Sequence, residues 1–178
     1  MNSIRVEDAI VQVQQGNKEA LEVIYSMFKA PLYQFVFRYT NNEQLSIDIV
    51  QDSFEKLQRK IHQYNPEKGK LKTYLFQIAY NTMITKVKRQ NRLRSLLPFL
   101  AEDIKVAHRE NYEEKWAVQA AIESLPEDLR VVVLLMYYHD LTQKEISSIL
   151  NIPVGTVKSR LHRALQKLKM ELEVNEDA

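Results

Sequence analysis

No cysteine occurs among the 178 residues, which excludes a disulfide framework, a cysteine-ligated zinc finger and thiol chemistry, and fits a reducing compartment. Glycine is almost as scarce. Gly16, Gly69 and Gly155 are the three present, and each sits at or near an expected helix boundary rather than between alternating strand-like residues, so the chain should be almost wholly helical. No apolar run approaches transmembrane length, and the opening MNSIRVEDAIVQVQQG carries acidic residues with no apolar core of signal-peptide size. The expected location is cytoplasmic, with no direct membrane insertion, and any membrane link must run through a partner. The histidines, His62, His108, His139 and His162, are scattered. None pairs with another at metal-ligand spacing and no nucleophile stands beside a base, so no metal, cofactor or catalytic residue is expected.

What is present is enough to fold. With 45% hydrophobic residues, a chain of this length can build one domain or two small ones. A net charge of +2 is mild, so any affinity for nucleic acid must come from local clusters of cations.

The clearest cluster lies in Leu141 to Leu168, LTQKEISSILNIPVGTVKSRLHRALQKL. Thr142 with Glu145 three residues on forms a capping-box signature, and Ile146, Ile149 and Leu150 follow at the spacing of a buried helical stripe. Asn151-Ile152-Pro153 breaks that helix and restarts it. From Val154 the apolar positions are Val157, Leu161, Leu165 and Leu168, while Thr156, Lys158, Ser159, Arg160, His162 and Arg163 occupy the remaining surface. No acidic residue falls between Pro153 and Met170, so Lys158, Arg160, Arg163, Lys167 and Lys169 present a field suited to a phosphate backbone. Gly155 allows a phosphate to come close to the helix start. Two helices around a short turn, with cations confined to the second, read as a DNA-binding helix-turn-helix.

Upstream, periodicity predicts a helix over about 6–15 and another from Lys18 to the region of Phe28, with Pro31 restarting it. The aromatic segment Leu32 to Thr40 reads as core. A helix over about 45–64 ends before Pro66. Leu71, Tyr74, Leu75, Ile78 and Ala79 repeat as a buried stripe up to Asn81-Thr82, which should halt one helix and cap the next. Lys86, Lys88, Arg89, Arg92 and Arg94 follow as a second basic cluster. Residues 93–114 lose the pattern and read as a flexible linker. A second domain starts near Trp116, with a helix start at Ser124-Leu125-Pro126-Glu127 and its core at Val131 to Tyr137. The fold class is all-α: two small helical domains, 1–92 and 115–178, joined by a linker, the C-terminal one a helix-turn-helix.

The segments IDIVQDSFEKLQRKI (47–61), LKTYLFQIAYNTMITKVKRQ (71–90) and LPEDLRVVVLLMYYHDLTQKEISSILNIPVGTVKSRLHRALQKL (125–168), in that order and spacing, make the chain resemble the extracytoplasmic-function (ECF) group of bacterial sigma-70 family RNA polymerase sigma factors. The resemblance covers most of the chain. It implies a factor that binds core RNA polymerase, directs it to promoter DNA and aids strand opening, without covalent chemistry of its own. Asp48, Gln51 and Asp52, at i, i+3 and i+4, are then the polymerase contact; alone they would be the solvated side of an amphipathic helix. Phe76, Tyr80 and Asn81 become candidates for holding an unpaired base of the minus-10 element, with Lys86, Lys88, Arg89 and Arg92 on the strand backbone. Gly155, Thr156, Lys158, Ser159, Arg160, His162, Arg163 and Lys167 become the minus-35 contacts, Lys158, Ser159 and Arg160 reading bases and Arg163 and Lys167 meeting phosphates. An anti-sigma factor, often membrane-tethered in this family, is a further implied partner. Three positions depart from the family pattern: Tyr74 where tryptophan is common, Thr85 where aspartate is usual, and Asn151 where glycine is frequent. Asparagine tolerates the left-handed conformation, so the last change is harmless. The rival reading is a stand-alone helix-turn-helix regulator whose first domain binds a ligand or dimerises.

Overall fold

The computed structural model describes residues 6–17, 19–96 and 113–176, all of whose regular elements are helical. They fall into two compact units, one within residues 1–98 and the other within 99–178, and each is treated by itself.

The first unit is built from α1 (Val6–Gln14), α2 (Glu19–Thr40), α3 (Glu43–Lys60) and α4 (Leu71–Leu96). Ala9, Ile10 and Val13 bury the inner face of α1. Gly16, at φ +93°, ends it, a conformation open to glycine at little cost. The Gln14 side chain then reaches forward, and its Nε2 donates to the Ile61 carbonyl at 2.9 Å and the Tyr64 carbonyl at 3.0 Å, tying α1 to the connection between α3 and α4.

In α2 the buried residues Ala20, Ile24, Phe28, Leu32, Phe35, Val36 and Tyr39 follow one helical stripe straight through Pro31. The expected restart at Pro31 does not occur. An interior proline costs roughly 3 kcal/mol through its missing N–H and ring clash, but an unbroken stripe on both sides keeps the helix in register. Asn41 (φ +47°) closes α2, and the Asn42 side chain accepts from the Leu45 N–H at 2.8 Å to start α3.

Helix α4 also differs from the expectation, for it runs unbroken through Asn81-Thr82. The buried Thr82 hydroxyl donates to the Ile78 carbonyl at 2.8 Å and accepts from the Lys56 ammonium at 2.9 Å. Both roles are met inside the helix, so nothing drives the backbone to break. The helix continues to Leu96, past the expected linker start at residue 93. Of that linker, residues 97–112 lie outside the described residues, as do the side chains of Arg94 and Trp116.

The second unit comprises α5 (Glu113–Ser124), α6 (Glu127–Val133), α7 (Gln143–Leu150) and α8 (Val154–Glu176). Helix α6 passes into a π-helical turn over Leu134–Tyr138. Val131 to Leu135 are buried as expected, whereas Tyr137 and Tyr138 at its end are exposed. Asp140 (φ +51°) stops the segment, and Leu141 turns inward to join Ile146, Ile149, Val157, Leu161 and Ala164 in the core.

The capping box of α7 is fully formed. Thr142 Oγ1 accepts from the Glu145 N–H at 3.2 Å, and Glu145 Oε2 accepts from the Thr142 N–H at 2.9 Å. Replacing an N-cap threonine by alanine typically costs about 1 kcal/mol. Thr142→Ala should therefore lower the protection of α7 amides against hydrogen exchange by about fivefold; unchanged protection would mean the box adds nothing to the unit.

Candidate polymerase and nucleic-acid interfaces

Asp48, Gln51 and Asp52 share the solvent side of α3, Gln51 exposed and the two aspartates half-exposed. Neither carboxylate is idle. Asp48 accepts from Gln44 Nε2 at 3.2 Å, and Asp52 pairs with the Lys86 ammonium of α4 at 2.9 Å. The Lys56–Thr82 hydrogen bond lies one helical turn further along the same seam, so α3 and α4 are joined by two polar rungs.

Beside this face lies a groove of about 840 Å³ between α2 and α3, which the sequence reading missed. Leu21, Tyr25, Val50 and Phe54 supply apolar lining, and Gln51 stands on its wall. Tyr25 packs on Phe54 with ring centres 4.7 Å apart, and Ile47 remains 44% exposed. The Ile47, Val50 and Phe54 spacing looks like an ordinary core stripe, which hides the fact that one end of it faces out. Tyr33 also lines the groove; burial, and then the charge of Glu43, push its phenol above the usual value, so the hydroxyl stays a neutral donor.

On α4 the candidates for base and strand contact separate by helical phase. Phe76 is a correction: it is fully buried, its ring 5.4 Å from that of Phe35, and no base can reach it. Asn81 is exposed but stands on an unbroken helix and not in the polar loop its sequence context suggests. It shares one solvent-facing line with Tyr74, Lys88 and Arg92, the four lying at i, i+7, i+14 and i+18, each close to a whole number of turns from the next. Tyr74, missed as a candidate, is half-exposed at the head of that line and 5.5 Å from the Tyr64 ring. Correct phasing of the helix would have singled it out. Tyr80 is half-buried to one side, and Arg89 is exposed on a flank. Lys86, two residues from Lys88, points about 200° away from it, toward α3.

In the second unit, α7 ends at Asn151 in the left-handed conformation (φ 53°, ψ 49°), as its tolerance for that region anticipated. The Ile152 N–H returns to the Ser147 carbonyl at 3.2 Å, and α8 begins two residues later. Val157, Leu161 and Ala164 form the buried stripe of α8. Leu165, expected within it, is 46% exposed because Ala164 carries the phase instead. Gly155, Ser159 and His162 are exposed on the side opposite Val157, flanked by exposed Lys158, Arg163 and Lys167, with Thr156 half-buried. A Cβ at Gly155 would meet nothing within 4 Å, so the fold does not demand glycine there, and its absent side chain simply bares the backbone. Arg160 lies on the flank toward α6, where its Nε is 3.5 Å from Asp128 Oδ2.

Among the described residues no histidine, cysteine and carboxylate cluster could hold a metal, and no helix is long and apolar enough to cross a membrane. His108 lies outside the described residues.

The Sigma-70 region 2 family matches residues 24–93 and the Sigma-70, region 4 family matches residues 115–168. The ECF RNA polymerase sigma factor SigW of Bacillus subtilis is 30% identical, the alignment covering 94% of this chain and 96% of the relative. This chain belongs to the ECF RNA polymerase sigma factors. The ECF RNA polymerase sigma-E factor of Haemophilus influenzae is 31% identical over 94% of this chain and 95% of its own length. Among solved structures, the sigma factor RpoE of Bartonella quintana, in complex with the anti-sigma factor NepR, superposes with a TM-score of 0.73 at 21% identity, covering 86% of this chain and 96% of that one. CnrH in complex with the cytosolic domain of CnrY gives 0.69 at 23% identity, covering 93% and 96%. In this sigma factor the region 2 match takes in all of α3 and most of α2 and α4, and leaves α1 outside.

Proposed function

We propose that this sigma factor divides its work between its units. Residues 1–92 dock on core RNA polymerase through Asp48, Gln51 and Asp52 and engage the minus-10 element through the outer line of α4. Residues 115–178 engage the minus-35 element through α8. Tyr74 and Tyr80 offer ring faces on which an unstacked base can rest, Asn81 offers an amide for hydrogen bonding, and Lys88, Arg89 and Arg92 neutralise the strand. On α8, Lys158, Ser159 and His162 stand where side chains of a docked helix meet base edges, while Arg163 and Lys167 meet phosphates.

The chain acts by binding alone. The polymerase supplies the chemistry, and this factor supplies sequence recognition plus the binding free energy that holds DNA open. It works in the cytoplasm, and an anti-sigma factor is its third partner, in keeping with the neighbour solved with NepR.

The observation that carries this reading is the presence of two separate cation-bearing faces, one on α4 and one on α8. A stand-alone helix-turn-helix regulator needs only the second. Run-off transcription with purified core polymerase on a genomic promoter library is the test. Defined start sites should emerge only when the chain is added; products identical with and without it would sink the proposal.

A further inference from the structure

We infer that Asp128 is a specificity-determining residue that acts through Arg160, holding its guanidinium off the DNA. The inference rests on α8 being the minus-35 helix and goes beyond it by removing one cation from the contact surface and giving an acid on another helix the reason.

Arg160 belongs by sequence to the first two turns of α8, where base-reading side chains are expected. Its phase differs from theirs. Ser159 and His162 are exposed opposite the buried Val157, whereas Arg160 sits close to the Val157 side, its side chain 25% exposed and its Nε 3.5 Å from Asp128 Oδ2. Asp128 stands in the first turn of α6, where an acid also suits the helix dipole. The helix dipole alone would be served equally well by an acid with no partner on α8.

The pairing matters because of what an unpaired arginine would do. On the flank of a docked helix, a long, permanently charged side chain reaches phosphates of any sequence. Each such contact strengthens binding without reading sequence and steepens the salt dependence by about 0.9. It helps mismatched DNA most, because a protein not fixed by base contacts can slide to whichever register suits the free cation. Competing non-specific sites vastly outnumber promoters, so the ratio of affinities is the quantity that counts. Asp128 cancels this contact at its source while Lys158, Arg163 and Lys167 remain exposed.

The test uses the full chain, a duplex that the wild-type chain selects from a randomised pool, and a scrambled duplex of equal length and composition. Asp128→Asn should bind the scrambled duplex about threefold more tightly, with a salt slope steeper by about 0.9, and the selected-to-scrambled ratio should narrow. Asp128→Glu, which can still reach the guanidinium, should behave as wild type. Arg160→Gln alone should leave slope and scrambled affinity unchanged, and Asp128→Asn placed on that background should add no slope. The inference is overturned if Arg160→Gln flattens the slope by about one, since the arginine would then already be on DNA. It is equally overturned if the gain from Asp128→Asn survives without Arg160, or if Asp128→Asn changes nothing. Lys158→Ala separates the two levels of the argument. Lost discrimination there with an inert Asp128→Asn refutes the inference alone, whereas a wild-type chain that selects no duplex refutes the reading of α8 and the inference with it.

Discussion

Phe76→Ala should cost the first unit about 3–5 kcal/mol, more than about a hundredfold in its folded-to-unfolded ratio. Phe76 is fully buried and packs on Phe35, at the point where α4 meets α2, so truncation leaves a cavity that rigid helices can only partly close. Hydrogen exchange read over α2, α3 and α4 should show protection collapsing, and Phe76→Leu should restore most of it. Polymerase binding and promoter opening would fall together, as secondary effects of lost structure. An alanine variant with native protection and a defect confined to permanganate-detected melting would return Phe76 to the role of a base-stacking residue and contradict the packing argument.

The second large effect is expected at the α3 face. Reversing both charges, Asp48→Lys with Asp52→Lys, should weaken binding to core polymerase by about 2–5 kcal/mol, the scale of hydrogen-bonded charge pairs at interfaces. A lysine at position 52 would also face Lys86, whose ammonium now sits 2.9 Å from the aspartate, so lost binding could be mistaken for local repulsion. Adding Lys86→Asp rebuilds the rung with its charges exchanged. The triple variant should melt like the wild type and still fail to displace labelled wild-type factor from core. Recovery of competition in the triple variant would mean that the rung supports the fold and the polymerase does not read this face.

Local signals in the sequence were reliable where their chemistry closes over a few residues. The Thr142–Glu145 box and the left-handed turn at Asn151 depend only on neighbours, and both are present. Breaker residues misled where partners lie far along the chain. Pro31 looks like a stop until the buried stripe on both sides of it is seen, and Thr82 looks like a cap until Lys56, 26 residues away, is seen to donate to it. The same blindness to distant partners affected the candidate site. Counting cations put Lys86 and Arg160 among the DNA ligands, but each meets a carboxylate on another helix, and no periodicity reveals that. Phe76 and Tyr74 are the reverse case: two aromatics two residues apart must face different ways on a helix, and phasing α4 across the supposed break would have shown which one is core.

The two hydrogen bonds from Gln14 bear on how this protein can be dissected. A fragment cut to the region 2 match, residues 24–93, begins after α1 and would discard the donor that holds the Ile61 and Tyr64 carbonyls. The connection leading into α4, and with it the seat of Tyr74 against Tyr64, would lose its tether at the end where the outer line of α4 begins. A fragment intended to report on strand opening should therefore retain α1, because the family boundary and the mechanical boundary of this unit do not coincide.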